Sequence, residues 1–207
     1  MTIVDANPHS RYMFAKAMMG ILKSMQKIHI PKPIVLVGMM GAGKSSLGSR
    51  LADRLGLDFV DADTEIEAAA GMSIAEIFET HGEAAFRDGE RRVIARLLNA
   101  EPRVLALGGG AFGDASTRAD VLNRAISIWL DVPIDELVER VKRKPGKRPL
   151  LANTNVHEKI TSLMHARAPH YGEADIRADI SHKSHDGAIN RLVELLHAHL
   201  HQNPSTA

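Results

Sequence analysis

The stretch IVLVGMMGAGKSSLGSRLADRL, residues 34–55, decides the fold of this chain. Four apolar residues typical of a buried strand lead into a glycine-rich turn, and a helical pattern follows the turn. Gly38, Gly43, Lys44 and Ser45 satisfy the pattern G-x-x-x-x-G-K followed by Ser or Thr. In that pattern, loop N–H groups surround the phosphates of a nucleoside triphosphate, the lysine reaches the β- and γ-phosphates, and the hydroxyl binds Mg²⁺. The glycine order, G-x-x-G-x-G, differs from the G-x-G-x-x-G of a dinucleotide-binding turn.

Six residues of this turn are therefore expected to hold ATP. Glycine allows the backbone angles that turn N–H groups inward, and it leaves room for a phosphate. The helix that follows adds free N–H groups and the positive end of its dipole. The expected set is Gly41, Ala42, Gly43, Lys44, Ser45 and Ser46, with Lys44 as a catalytic candidate and Ser45 as a candidate Mg²⁺ ligand.

Strand-like and helix-like segments alternate along the rest of the chain. Apolar runs predict five strands, at 34–37, 57–60, 104–107, 126–130 and 176–180. Periodic apolar residues predict helices at 44–55, 64–70, 73–80, 83–98, 116–124, 134–143, 156–167 and 186–199. This alternation predicts an α/β fold of three layers, α/β/α, around a mainly parallel five-stranded sheet, as in P-loop nucleoside triphosphatases.

The composition excludes several classes of protein. The 207 residues include 26 Lys and Arg against 25 Asp and Glu, so the net charge of +1 gives no overall attraction for nucleic acid. The absence of cysteine excludes disulfides, thiolate metal sites and cysteine nucleophiles. No apolar run is long enough to span a membrane, and the N-terminus lacks the pattern of a secretory signal. We expect a cytoplasmic protein without a nucleic-acid partner, and we expect it to be a monomer.

The sequence divides into three parts. Residues 1–30 are predicted to form an N-terminal extension with a short basic amphipathic helix, which either packs on its own domain or lies on a membrane surface. The prolines of PKP, at 31–33, mark the start of a P-loop domain that spans 31–200. The last seven residues, 201–207, are predicted to be disordered.

Two acidic residues follow the second predicted strand. Asp61 and Asp63 are two positions apart near the carboxyl end of that strand, where ligands bind in open α/β sheets. In extended chain their side chains would point the same way. The pair could serve Mg²⁺ and a substrate hydroxyl, or Asp61 could cap the next helix while Asp63 faces solvent.

Three further motifs are candidates for binding an anionic substrate. Arg87 and Glu90 fall on one helical face, so that Glu90 could orient the guanidinium, although an ordinary surface pair has the same spacing. The glycines at 108–110 end the third strand, which indicates either close approach to a ligand or a tight turn. Arg167 lies near a helix end, where it could bind an anion or stabilise the helix C-terminus.

A basic segment, RVKRKPGKRPLL at 140–151, lies between two predicted helices. It could close over the phosphates as a mobile lid that spans about 143–155. Alternatively, it could be a solvated run of charge. It lacks the second basic run and the interleaved aromatic residues that would favour a nucleic-acid interface.

The ordered set of motifs resembles the shikimate kinase family over roughly residues 34–196. The motifs that carry the resemblance are GMMGAGKSS, DADTEIE, IAEIFETHGEAAFR, LGGGA, KRPLL and RAPHY. The resemblance implies a nucleoside-monophosphate-kinase-like fold. It also implies phosphorylation of the shikimate 3-hydroxyl by ATP with Mg²⁺, giving 3-phosphoshikimate and ADP in aromatic amino-acid biosynthesis.

The resemblance further implies roles for individual residues. Asp63 would contact the reacting hydroxyl as a catalytic residue, and Asp61 would lie near the Mg²⁺. Arg148 would be the lid arginine that reaches the phosphates, which makes it both a catalytic and an ATP-binding candidate. The implied substrate-binding set is Asp63, Arg87, Gly109, Gly110 and Arg167, in which both arginines bind the shikimate carboxylate.

Two other functions stay open at the level of sequence. A gluconate-kinase-like enzyme of the same fold would also use arginines to bind a carboxylate. A nucleotide-dependent switch would bind ATP or GTP without a small acceptor. The paired acids and the triple glycine favour shikimate over gluconate, and the candidate arginines favour a kinase over a switch.

Overall fold

Five parallel strands form the central sheet, in the order β2–β3–β1–β4–β5. The structure is a computed structural model that describes residues 29–143 and 155–202. The strands are β1 Ile34–Val37, β2 Asp58–Asp61, β3 Arg103–Ala106, β4 Ile126–Asp131 and β5 Ile176–Asp179. The predicted parallel five-stranded sheet is confirmed.

Helices connect the strands and cover the sheet. They are α1 Lys44–Leu55, α2 Ala62–Ala70, α3 Ile74–Leu98, α4 Ala115–Arg124, α5 Ile134–Lys142, α6 Val156–Tyr171 and α7 His185–Gln202, with a short 3-10 helix at Ala111–Gly113. Helix α1 packs against α7, α3 against α4, and α5 against α6. Within the described ranges, no helix is long and apolar enough to cross a membrane.

The central strand β1 explains why the opening stretch is apolar without alternation. All four of its residues are buried, because β3 and β4 flank the strand and helices cover the sheet. Parallel strands buried on both faces are typically continuous apolar runs. The same core includes Ile30, which is buried ahead of the PKP boundary, so the packed domain begins slightly earlier than residue 31.

Two predicted helices, 73–80 and 83–98, are the two segments of α3. Gly82 separates them with the non-helical angles φ 78° and ψ 173°, at the place where the sequence predicted the break. The helix begins with a capping box, in which Ser73 accepts from the Glu76 N–H and the Glu76 carboxylate accepts from the Ser73 N–H. This arrangement satisfies backbone donors that the first turn would leave free.

Two helix ends differ from the predicted bounds. Helix α6 continues past Pro169 to Tyr171, whereas the sequence predicted its end at 167. Helix α7 runs to Gln202, two residues into the predicted disordered tail. The predicted N-terminal helix, most of the predicted lid, including Arg148, and residues 203–207 lie outside the described residues.

Candidate active site

The glycine-rich turn after β1 uses backbone angles that only glycine adopts readily. Gly38, Gly41 and Gly43 have φ values of 139°, 84° and 97°, and α1 begins directly after Gly43. A Cβ atom at Gly38 would lie 2.9 Å from the backbone oxygen of Leu130 on the neighbouring strand. The turn can therefore present backbone N–H groups and the start of α1 to an anion.

Lys44 lies over this turn. Its Nζ atom donates to the backbone oxygens of Gly38 at 2.8 Å and Met39 at 3.0 Å. The same charge lowers the pKa of Asp63, although other groups act more strongly on that carboxyl. The ammonium group thus lies on the glycine-rich turn, close enough to Asp63 to affect its ionisation.

Asp61 joins the turn to helix α2. The Ser45 hydroxyl donates to its Oδ2 atom at 2.5 Å, and its Oδ1 atom accepts from the Asp63 N–H at 3.1 Å. Asp61 is the N-cap of α2, so Asp63 lies in the first helical turn. The capping role that the sequence left open for Asp61 is confirmed, whereas the placement of Asp63 in extended chain is wrong, because the helix starts two residues earlier than expected.

The donor set at Ser45 and Asp61 fits Mg²⁺. A hydroxyl and a carboxylate side by side are hard oxygen ligands, and Mg²⁺ commonly takes one or two such ligands together with water and phosphate oxygens. Among the described residues, no group of three or more His, Cys, Asp or Glu side chains could hold a metal ion by itself. A cation here would therefore need water or phosphate oxygens as its remaining ligands.

The Asp63 carboxyl has a strongly perturbed pKa. Its pKa is raised from 3.8 to about 6, chiefly by burial and then by the negative charges of Asp61, Glu90 and Glu67, while Lys44 opposes the shift. A carboxylate with a pKa near neutrality is well suited to accept a proton. Perturbed groups of this kind concentrate at functional sites.

Gly108 makes room for this carboxyl. It lies two residues after the end of β3. A Cβ atom at Gly108 would lie 2.7 Å from Asp63 Oδ1 and 3.2 Å from Glu90 Oε1. A separation below 3.0 Å would force one of the groups to move. The sequence left open whether these glycines allow close approach to a ligand or form a tight turn; Gly108 lies close to the side chain of the catalytic candidate.

Gly109 and Gly110 make room for the two arginines in the same way. A Cβ atom at Gly109 would lie 3.2 Å from Arg167 Nη1, and one at Gly110 would lie 3.1 Å from Arg87 Nη2 and 3.5 Å from Arg167 Nη2. The two guanidinium groups, from α3 and α6, therefore meet at one short turn. Two such planar donors side by side suit a carboxylate.

Arg87 is oriented by a buried acid. Its Nη1 atom lies 2.7 Å from Glu90 Oε2, and its Nη2 atom lies 3.3 Å from Glu83 Oε1. Glu90 is only 3% exposed, so the pair is not an ordinary surface ion pair. Burial raises the pKa of Glu90, although its partner Arg87 opposes this shift. The predicted orienting role of Glu90 agrees with this geometry.

Tyr171 is a site residue that the sequence did not assign. Its hydroxyl donates to the backbone oxygen of Gly109 at 2.5 Å, and it lies one helical turn after Arg167 on α6. The signal was present in RAPHY, whose arginine and tyrosine are four residues apart and share a helical face. The prediction that the helix ends before Pro169 concealed this relationship.

A cleft of about 560 Å³ extends from the acids along the turn to the start of α7. Its lining includes Gly41, Gly43, Lys44, Ser45, Ser46, Asp61, Asp63 and Gly109 from the predicted set, together with Arg140, Arg143, Lys183, Ser184 and His185. Ala42 is fully buried beneath the turn. Gly110, Arg87 and Arg167 lie next to Gly109, beyond the lining residues.

The far end of the cleft is organised by Arg140, which sequence reasoning also missed. Its Nη1 atom donates to the backbone oxygens of Gly41 at 3.4 Å and Ala42 at 3.2 Å, while its Nη2 atom pairs with Glu136 at 2.5 Å. Glu136 also accepts from the N–H of His182, a non-glycine residue with φ 52°. Helix α5 is thereby tied to the turn and to the loop after β5.

Comparison with known proteins identifies this arrangement. A family model described as shikimate kinase matches residues 40–197. The chain belongs to the shikimate kinase family. A family member from Bradyrhizobium diazoefficiens is 53% identical over 169 residues, which cover 82% of this chain and 81% of that protein. A family member from Rhodopseudomonas palustris is 52% identical over 169 residues, covering 82% and 83%.

Solved structures place the fold in the same family. Shikimate kinase from Acinetobacter baumannii, determined in complex with shikimate, matches with a TM-score of 0.77 and 35% identity, covering 81% of this chain and 93% of that one. A gluconokinase from Sinorhizobium meliloti matches with a TM-score of 0.56 at 17% identity, covering 84% and 98%. The likeness to the gluconokinase shows a common fold and nothing more.

Proposed function

We propose that this member of the shikimate kinase family transfers the γ-phosphoryl group of ATP to the 3-hydroxyl of shikimate, forming 3-phosphoshikimate and ADP. One observation carries the proposal. Asp63, Arg167 and Arg87 meet at the consecutive glycines 108–110, beside the turn that holds Lys44. An acceptor with a carboxylate at one end and a hydroxyl at the other fits this set.

The guanidinium groups of Arg87 and Arg167 bind the shikimate carboxylate in this proposal. Each offers a fork of N–H donors that matches a planar carboxylate. Glu90 fixes Arg87 from behind at 2.7 Å, so the guanidinium is oriented before the substrate arrives. Fixing the carboxylate places the ring, and hence the reacting hydroxyl, toward Asp63.

Asp63 accepts the proton of the 3-hydroxyl. The hydroxyl oxygen forms a bond to the γ-phosphorus, the bond from that phosphorus to the β–γ bridging oxygen breaks, and ADP leaves. The pKa of about 6 leaves the free carboxylate ionised at neutral pH while keeping it a better base than an ordinary aspartate. The loose transition state of phosphoryl transfer makes positioning and charge neutralisation more important than base strength.

Lys44 and the turn bind the phosphates. Gly41, Gly43, Ser45 and Ser46 line the cleft beside Lys44, so backbone and side-chain donors surround an anion there. Ser45 and Asp61 would hold Mg²⁺, which supplies charge neutralisation at the β- and γ-phosphates when bound. Arg148 is proposed to reach the same phosphates from the lid, excluding water from the reaction.

The base and ribose of ATP are proposed to occupy the far end of the cleft, between α5 and the loop after β5. Arg143, Lys183, Ser184 and His185 line this end. We further propose that the chain works as a cytoplasmic monomer without a nucleic-acid partner. The net charge of +1 supports the last point, because it provides no general attraction for nucleic acid.

A coupled ADP-release assay tests the proposal. Shikimate, gluconate and a nucleoside monophosphate are offered in turn with ATP and Mg²⁺, and the shikimate product is examined by NMR for phosphate on the 3-oxygen. We expect turnover with shikimate alone. Turnover of gluconate but not shikimate would instead indicate a gluconate-kinase-like enzyme. Calorimetric nucleotide binding without shikimate binding at millimolar concentration would favour a switch.

A further inference from the structure

The Tyr171 side chain contacts both the glycine turn at 108–110 and the glycine-rich turn after β1. Its hydroxyl donates to the Gly109 backbone oxygen at 2.5 Å and lies 4.0 Å from the sulfur of Met39 in the phosphate-binding turn. Its ring lies 5.9 Å from that of Trp129. The side chain is 1% exposed, so its position is fixed by packing.

The hydroxyl remains a donor at physiological pH. Burial raises the pKa of Tyr171, although the neighbouring Arg167 opposes the shift. A buried hydroxyl that keeps its proton gives a directional hydrogen bond, and loss of the bond would leave the carbonyl of Gly109 without this partner. Tyr171 therefore holds one oxygen of the glycine turn in a fixed direction.

Holding that oxygen also fixes the next N–H group. The described residues contain no cis peptide bond, so the Gly109–Gly110 peptide is trans. In a trans peptide plane, the C=O and N–H bonds point in opposite directions. With the Gly109 oxygen held toward the buried Tyr171, the Gly110 N–H points away from it. The guanidinium groups of Arg87 and Arg167 lie close to Gly110, at the acceptor end of the site.

We propose that Tyr171 is a positioning residue that sets the Gly109–Gly110 peptide plane beside Arg87 and Arg167, and so fixes the end of the site that binds the acceptor's carboxylate. This inference rests on the proposed function, since it assumes that shikimate is the acceptor. Glycine has the largest backbone freedom, so a turn of three glycines needs such restraints. The Ala111 N–H donates to the Gly108 oxygen at 3.1 Å and the Gly113 N–H to the Gly110 oxygen at 3.0 Å, and the tyrosine holds the Gly109 oxygen between them.

The test replaces Tyr171 by Phe, which removes one oxygen and keeps the ring. We expect the KM for shikimate and its dissociation constant to rise about 3- to 10-fold, the effect of losing one ordinary hydrogen bond. The kcat and the KM for ATP should change less than about twofold, because uniform binding is lost rather than transition-state stabilisation.

A matched control comes from the same helix. Thr161 carries a buried hydroxyl for which, among the described residues, there is no hydrogen-bond partner. The substitution Thr161→Val therefore removes a buried hydroxyl of α6 without touching the glycine turn, and its kinetic constants should equal those of the wild type. Thermal unfolding of both variants reports any general loss of stability.

A second ligand separates positioning from general weakening. Binding of the shikimate analogue in which hydrogen replaces the carboxylate, and which therefore offers no acceptor there, should differ little between the wild type and Tyr171→Phe. Equal weakening of shikimate and this analogue would overturn the proposal, as would an unchanged shikimate affinity in the Tyr171→Phe variant when the wild type turns over shikimate. A wild type without shikimate turnover would instead contradict the proposed function.

Discussion

Gly108 lies so close to Asp63 that a Cβ atom at residue 108 would be 2.7 Å from the Asp63 Oδ1 atom. A Cβ atom at Gly109 would lie 3.2 Å from Arg167, and one at Gly110 would lie 3.1 Å from Arg87. A side chain at any of these three positions would therefore crowd a group of the proposed site. Each glycine faces a group with a different proposed role, which allows the roles to be tested one at a time.

Alanine substitutions in this turn should separate catalysis from binding. Gly108→Ala displaces the Asp63 carboxyl, so we expect kcat to fall by more than about tenfold, because small misplacement of a reacting group is costly. Gly110→Ala crowds Arg87 at 3.1 Å and should mainly raise the KM for shikimate. Steady-state kinetics with both substrates measures this split.

Gly89→Ala on α3 is the matched control for these substitutions. A Cβ atom there meets nothing within 4 Å, so its kinetic constants should equal those of the wild type. Ala in a helix interior is also favoured over Gly by up to about 1 kcal/mol. If Gly108→Ala had the same kcat as this control, the close contact between residue 108 and the Asp63 carboxyl would not matter for catalysis.

The substitution Asp63→Asn should lower kcat at least about 10²-fold, the usual scale of a general acid–base contribution. It should also stabilise the fold at pH 7. The folded chain binds the Asp63 proton more tightly than the unfolded chain, so stability falls as pH rises from about 4 to about 6. The raised pKa of Asp63 corresponds to about 1–3 kcal/mol of stability lost at pH 7, and the uncharged asparagine side chain avoids this loss.

Denaturant unfolding of wild type and Asp63→Asn at pH 7 and pH 3.5 measures the second effect. At pH 3.5 the wild-type carboxyl is protonated in the folded chain and about two-thirds protonated in the unfolded chain, so this contribution to the difference in unfolding free energy should fall to a few tenths of a kcal/mol. A variant with near wild-type turnover would remove Asp63 from the catalytic set. A variant less stable than the wild type at pH 7 would contradict the account of its burial.

The pH dependence of kcat/KM for shikimate should follow the ionisation of Asp63. Below a pKa of about 6 the carboxyl is protonated and cannot accept the hydroxyl proton, so the rate should rise up to that pH and then level off. Asp61→Asn removes a negative neighbour, so in the protein without Mg²⁺ it should move the pKa of Asp63, followed by NMR, to a lower value. Asparagine still caps α2 well, which keeps the helix start intact. A wild-type rate profile without a midpoint near the pKa of Asp63 would mean that another group governs it.

Lysine in place of Arg87 should raise the KM for shikimate with a smaller effect on kcat. A lysine ammonium is a point charge and cannot reproduce the two parallel hydrogen bonds of a guanidinium to a carboxylate. Arg96→Lys is the control on the same helix, where Arg96 forms an exposed ion pair with Glu65 at 2.9 Å. An unchanged KM in the Arg87 variant would place the carboxylate elsewhere.

Sequence reasoning located most of the fold because the strands are short apolar runs separated by amphipathic helices. Strand β1 and helix α1 match their predicted bounds, since a glycine-rich turn separates them sharply. The start of α2 was misplaced because Asp61 both ends the strand and caps the helix. The end of α6 was misplaced because Pro169 does not stop that helix.

The same limits explain which site residues were missed. Asp63 and Arg87 stood in motifs with recognisable charge patterns, whereas Tyr171 acts through a contact 62 residues away along the chain. Arg140 belongs to a basic run whose members look alike in sequence, and only its bonds to Gly41 and Ala42 distinguish it. Long-range contacts of this kind leave no local pattern to read.

A crystal structure with ADP, Mg²⁺ and shikimate tests the central claim most directly. The account predicts the 3-hydroxyl within hydrogen-bonding distance of the Asp63 carboxylate, about 2.6–3.2 Å, with the shikimate carboxylate on Arg87 and Arg167. Shikimate bound with its carboxylate away from both arginines, or with its 3-hydroxyl out of reach of Asp63, would contradict it.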